Sequence, residues 1–214
     1  MEAVTTKDKL LDAATRVFLA HGFAAASMDM VRVEAGVSNG SLYHHFPTKA
    51  LLADALYAHT LRDFHAALMA PIAGAATAEA GVKGLIRGYI QWVLQHPEQA
   101  RLLHKLRRTD GMADGMADGM ATSTGETAGS GKTAGTERGA VNANAYAALA
   151  EWIDQQVAAG DMRAMPFPVW MALVFSPALS LTQHWVAQAK PTVPPKVRAA
   201  LEHGAWMSVA GDTP

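Results

Sequence analysis

The chain of 214 residues contains no cysteine, which excludes disulfides and thiolate metal sites and fits a reducing compartment. Charge is scarce and balanced: charged side chains make up 17% of the residues and the formal net charge is −1, so no overall field draws the molecule to nucleic acid. The N-terminal stretch is no more basic, because Lys7, Lys9, Arg16, Arg32 and Lys49 are offset by Glu2, Asp8, Asp12, Asp29 and Glu34. A membrane span needs roughly 20 mostly apolar residues. The longest apolar stretch, Val169 to Val186, is interrupted by Ser176, Pro177, Ser180, Thr182, Gln183 and His184. The N-terminus has no apolar signal-peptide core, so the expectation is a cytoplasmic protein with no membrane partner.

Strand-like alternation is also missing. Half of the residues are hydrophobic, and Ala, Leu and Met dominate over β-branched runs, so the pattern predicts an all-α protein with a packed core. Leu10, Leu11, Ala14, Val17 and Phe18 recur at helical spacing. Gly22 is expected to end that helix in a left-handed turn with Phe23 folding back. Ser27 is a good cap for a short helix from Met28 to Ala35, broken by Gly36. Ser38 caps the next, about Asn39 to Phe46, with Val37 and Leu42 at the two positions of a hydrophobic staple. Pro47 and Thr48 lead into a long helix from Lys49 to about Met69, ended by Pro71. Further helices are expected at about Ala80–Gln95, Pro97–Arg108, Val141–Ala159, Phe167–Gln188 and Pro194–Val209, with Pro177 kinking or dividing the fourth of these.

Between residues 109 and 139 the tetrad Asp-Gly-Met-Ala repeats three times and Gly, Thr, Ser and Ala dominate. Such a segment buries too little apolar surface to offset its ordering entropy and reads as a disordered insert.

The informative stretch is Ser27 to Lys49. A short helix, a turn containing Gly and a second short helix make a helix-turn-helix. The second helix must offer short polar groups to base edges in the major groove, and Asn39, Ser41, Tyr43, His44 and His45 are such groups. Gly40 permits close backbone approach, while Leu42 and Phe46 anchor the helix from behind. The bland alternative for each of these side chains is simple solvation. His44 and His45 point about 100° apart on a helix, so they do not share a metal ion, and no metal or cofactor is expected. Gly131-Lys132-Thr133 lacks the upstream Gly and the strand of a phosphate loop. No nucleophile, acid–base pair or phosphate loop marks an enzyme.

The ordered set of Leu10–Phe18, His21-Gly22-Phe23, Ala35-Gly36-Val37-Ser38, Gly40-Ser41-Leu42-Tyr43-His44-His45-Phe46 and Thr48-Lys49 closely resembles the TetR family of bacterial regulators. The resemblance covers about the first 60 residues. It implies a homodimer whose helix-turn-helix heads, residues 1–48, grip a palindromic double-stranded DNA operator. A helical ligand-binding and dimerisation domain, residues 49–214, would release the operator when a small-molecule effector binds. Tyr43 and Lys49 match phosphate-contact positions; Ser27, Ser38 and Thr48 cap helices near the DNA backbone; Asn39, Ser41 and His44 are candidates for reading bases. Trp92, His104, Trp152, Trp170, Phe175 and His184 are candidates to line a pocket for an apolar or aromatic effector. The two last long helices are the expected dimer interface, with Val174 and Leu181 on it. Arg32 stands where the family usually has a small Ala. Either its stem reaches outward and its guanidinium meets a phosphate, or the head packs less tightly. It keeps open another class of function, a helical small-molecule- or partner-binding protein that no longer recognises DNA.

Overall fold

The computed structural model describes residues 5–109, 137–186 and 192–211. In chain order these form α1 (Thr6–Ala25), α2 (Met28–Ala35), α3 (Asn39–His45), α4 (Lys49–Ala73), α5 (Ala78–Gln95), α6 (Pro97–Thr109), α7 (Glu137–Ala158), α8 (Phe167–Val186) and α9 (Pro195–Val209). The described residues contain no sheet, only an isolated bridge between Met162 and Ala210. None of their helices is long and apolar enough to cross a membrane.

Five helices start on a hydroxyl cap. Thr5, Ser27, Ser38, Thr48 and Thr77 accept the backbone N–H of Asp8, Met30, Ser41, Leu51 and Ala80, three residues on in each case. Each satisfies one of the donors left free at a helix start.

Several boundaries differ from those the sequence suggests. Gly22 has the expected positive φ, 76°, but with ψ at 160° it makes a kink, and helical structure resumes as far as Ala25. α4 runs through Pro71 to Ala73. A proline in a helix removes the N–H that would reach the carbonyl four residues earlier, here that of Ala67. The neighbouring helix accommodates this site: a Cβ on Gly88 would stand 2.7 Å from the Ala67 oxygen, and one on Gly84 would stand 2.7 Å from Pro71 Cβ. The bare backbone of α5 thus seats against Ala67 and Pro71 of α4, and this close packing supports the helix beyond its breaker. α7 is helical from Glu137, earlier than Val141. α8 is assigned as one helix with Pro177 inside it. The repeated tetrads and the rest of 110–136 lie outside the described residues, as does Gln188.

Two hydrophobic cores result. One gathers Leu10, Ala14, Phe18, Val31, Leu42 and Phe46 from α1 to α3 and its flanks, together with Leu52, Leu56 and Leu61 from α4. The other is built on Leu68, Ile72, Leu85, Ile86, Trp170, Val174 and Phe175. α4 is shared between them. α6 also reaches across, since Leu102 packs in the first core and Ala100 in the second. Two arginines tie the C-terminal helices further. Arg87 on α5 donates to both carboxylate oxygens of the buried Glu202 on α9, at 3.2 and 2.6 Å. Arg101 on α6 donates to the Val186 carbonyl at the end of α8, at 3.0 Å.

Candidate nucleic-acid interface

The turn between α2 and α3 is set by local chemistry. Gly36 ends α2 at φ 65° and ψ 34°, the left-handed conformation that costs a side-chain-bearing residue most. Its N–H donates to Val33, and the N–H of Val37 donates to Arg32, so the last carbonyls of α2 are satisfied. Ser38 then opens α3 at once, and Val37 packs against the same core as Leu42. Three residues therefore join α2 to α3.

α3 divides cleanly by face. Leu42 is fully buried and Phe46 nearly so, both in the head core. Asn39, Gly40, His44 and His45 are exposed, Ser41 is half-buried and Tyr43 is 46% exposed. A seven-residue helix held by one apolar edge thus presents small polar and aromatic groups outward, which is the chemistry that hydrogen-bonding to base edges and phosphates requires. His44 and His45 meet edge-to-face, with 5.4 Å between centroids and 69° between ring planes.

The structure resolves the position of Arg32. Its Nε donates to Asp29 one turn earlier at 2.8 Å, so the guanidinium lies along the surface of α2. Val31, next to it, is fully buried. The bulky residue is accommodated outside the core and the head closes normally. The stem reaches outward, as the first of the two alternatives requires, but the guanidinium already has a carboxylate partner.

Lys49 behaves unlike a free phosphate ligand. Its Nζ donates to the carbonyls of Phe23, Ala24 and Ala26 at 2.8, 3.2 and 2.9 Å. An ammonium has three donors, and all three are used at the C-terminal end of α1, where orphan carbonyls and a negative partial charge accumulate. Thr48 beside it caps α4 and is exposed, as are Ser27 and Ser38.

Of the residues expected to line a pocket, Trp92, Trp152, Trp170 and Phe175 gather at the second core. Trp92, Trp170 and Phe175 are buried in the second core. Trp152 is half-buried and packs against Gly81 of α5. His184 is exposed, and the side chain of His104 lies outside the described residues. Sequence pattern does not single out the other rings gathered with them: Phe64 and His65 on α4, Tyr89 on α5, Tyr146 on α7 and Phe167 on α8. Burial lowers the His65 pKa from 6.5 to about 4, so the ring is neutral at ordinary pH. No periodicity distinguishes His65 from a solvated helical histidine; only the packing of α7 against α4 does. The Tyr89 hydroxyl bonds Thr182 Oγ1 at 2.5 Å, and Thr182 in turn donates to the Ala178 carbonyl. A groove of 540 Å³ runs between α4 and α5, lined by Trp92 together with Ala66, Ala70, Pro71, Arg87 and Gln91 among others.

Residues 10–56 match the family described as bacterial regulatory proteins, tetR family. HTH-type transcriptional regulator UidR of Escherichia coli K12 is 36% identical over 73 residues, which is 34% of this chain and 37% of UidR. HTH-type transcriptional regulator SrpR of Pseudomonas putida is 39% identical over 57 residues, 27% of each chain. The alignments thus span only 37% and 27% of the lengths of these two curated relatives. The whole fold is shared more widely. A TetR family transcription regulator from Marinobacter aquaeolei superposes with a TM-score of 0.75 at 21% identity, covering 97% of this chain and 96% of that one.

Proposed function

We propose, from the match of residues 10–56 to the tetR family of bacterial regulatory proteins, that the chain is a sequence-specific DNA-binding transcriptional regulator, acting as a homodimeric repressor that a small molecule releases from a palindromic operator. The observation that carries this reading is α3, whose buried Leu42 and Phe46 fix a helix that turns Asn39, Gly40, Tyr43 and His44 to solvent. Asn39, Ser41 and His44 read base edges. Tyr43 and the exposed caps Ser27, Ser38 and Thr48 hold the phosphate backbone. Lys49 supports the head from within, and Arg32 reaches a phosphate only through the guanidinium nitrogens that Asp29 leaves free.

One short recognition helix reads few bases, so useful specificity calls for two heads. The second copy docks on α8 and α9, where Val169, Leu173, Leu181 and Met207 are exposed large hydrophobics. Two helices from each copy then make a four-helix contact about a two-fold axis. Residues 49–214 form the effector and dimerisation part, with the aromatic second core as the effector's destination. The protein works in the bacterial cytoplasm.

The rival reading, a helical binding protein without DNA recognition, rested on Arg32. Its main support weakens with the guanidinium outside a closed head core.

The test is selection of bound sequences from a random duplex pool at rising salt. Non-specific phosphate binding collapses with salt, whereas operator binding persists above it. Enrichment of one inverted repeat at high salt is the expected result. A folded dimer that enriches nothing at any salt concentration would move the reading to the rival.

A further inference from the structure

Buried polar atoms in folded proteins almost always have hydrogen-bond partners, so an orphan calls for an explanation. Among the described residues two buried side-chain atoms have none: His65 Nδ1 on α4 and Trp170 Nε1 on α8. They lie in the same aromatic assembly. From His65, ring contacts run to Tyr146 and on to Phe167, each at 6.1 Å between centroids. From the adjoining Phe64 they run to Tyr89 at 6.0 Å, to Phe175 at 6.4 Å and to Trp170 at 6.3 Å. Both runs end on α8, at Phe167 and Trp170 one turn apart, and together they make a circuit of rings drawn from four helices.

The same circuit shows what a satisfied group looks like. The Tyr89 hydroxyl has Thr182, and Thr182 has the Ala178 carbonyl. The fold therefore completes one polar chain here with its own atoms and leaves the imidazole and the indole N–H open. The circuit is also asymmetric. Tyr89, Trp170 and Phe175 are sealed in the core, whereas Tyr146 and Phe167 are only half-buried, so the side of the circuit nearest solvent is that of α7 and the start of α8.

We propose that His65 Nδ1 and Trp170 Nε1 are the two polar anchors of the effector site, and that the effector is a flat, uncharged aromatic molecule carrying a carbonyl-type oxygen and a hydroxyl. The indole N–H is a donor only, so it takes the carbonyl oxygen. A hydroxyl donates or accepts and so fits either tautomer of a neutral imidazole. Burial keeps His65 neutral, and no other member of the circuit is ionisable near neutral pH, so a charged effector would enter without a counter-charge. This inference rests on the reading of the C-terminal helices as the effector domain.

The experiment uses 6-hydroxyflavone, which has both groups, and flavone, which lacks the hydroxyl, with Trp170→Phe and His65→Phe. Both variants keep a ring and remove the nitrogen. Calorimetric titration of the full-length wild type is expected to show 6-hydroxyflavone bound more tightly than flavone. Trp170→Phe is expected to weaken both probes about tenfold, and His65→Phe to erase the preference between them. His65→Phe should keep its thermal stability without ligand, because Nδ1 has no protein partner to lose, whereas Trp170→Phe also shrinks a fully buried ring and should lower the melting temperature modestly. Absence of binding to the wild type, equal affinities in wild type and variants, or a marked fall in the melting temperature of both unliganded variants would each overturn the proposal. Operator binding is measured in the same samples. If the probe binds through these anchors but leaves operator affinity unchanged, the site stands and the release mechanism fails.

Discussion

The ammonium of Lys49 sits 4.7 Å from the centroid of the Phe23 ring and accepts no freedom beyond it, since its three donors are taken by the carbonyls of Phe23, Ala24 and Ala26. The first residue of α4 is thereby fastened to the end of α1. A cation at a helix C-terminus, over an aromatic face, is favourable on both counts. Lys49→Met is expected to lower the stability of the head by roughly 1–3 kcal/mol, read as a fall in melting temperature. If Lys49 makes no phosphate contact, the slope of log affinity against log salt stays at its wild-type value. A slope reduced by about 1 would show that Lys49 leaves its carbonyls for DNA.

α8 tests the assignment of the dimer face. Leu173 is 42% and Leu181 41% exposed, whereas Val174 is 1% exposed and belongs to the second core. Val174, expected from the sequence at the interface, is therefore a core residue. Leu173→Asp and Leu181→Asp should shift the sedimentation of a folded protein toward the monomer. Val174→Asp should instead abolish cooperative unfolding, because it buries an unpaired charge. A Leu173→Asp variant that remains a dimer at nanomolar concentration would place the interface elsewhere.

His65 links stability to pH. Its pKa is lowered to about 4 by burial, against an ordinary 6.5, so between these values the unfolded chain takes up a proton that the folded chain refuses. The neutral ring costs nothing above pH 6.5. Stability is lost as pH falls from about 6.5 toward 4, by up to about 3 kcal/mol, and levels off below. The difference in unfolding free energy between wild type and His65→Phe should be flat above pH 6.5 and should fall across that window. A flat difference at every pH would mean that the ring is solvated.

Gly88 makes a packing prediction. A Cβ there would lie 2.7 Å from the Ala67 backbone oxygen, which cannot swing away as a side-chain tip would. Gly88→Ala should destabilise the protein by about 1–3 kcal/mol despite the better helix propensity of Ala. Gly40, exposed on α3, has nothing within 4 Å of its Cβ position, so Gly40→Ala is the control and should not destabilise. Thermal melts of the two variants decide it.

These residues also show how far the sequence can be read. The head was legible almost to the residue, because caps such as Ser27 and Ser38, the breaker Gly36 and the anchors Leu42 and Phe46 act within a few positions of one another. The C-terminal part was legible as helices but not as surfaces. α8 is apolar on nearly all sides, so periodicity cannot tell exposed Leu173 from buried Val174. Pro71 signals a helix end locally, and only the two glycines of α5 opposite it explain why α4 continues. Lys49 and His65 were opaque for the same reason: their partners lie on α1 and α7, distant in sequence. Side-chain roles fixed by tertiary contact leave no periodic trace.

The central claim is that the exposed face of α3 reads DNA. The most direct measurement is the dissociation constant for the enriched duplex, at fixed salt, of the wild type and of the triple variant Asn39→Ala, Ser41→Ala, Tyr43→Ala. All three positions lie outside the buried edge of α3, so melting temperature and dimerisation should be retained. The account predicts a loss of at least about a hundredfold in affinity for that duplex, with residual non-specific binding falling far less. A folded dimeric variant that binds the enriched duplex as tightly as the wild type would contradict it.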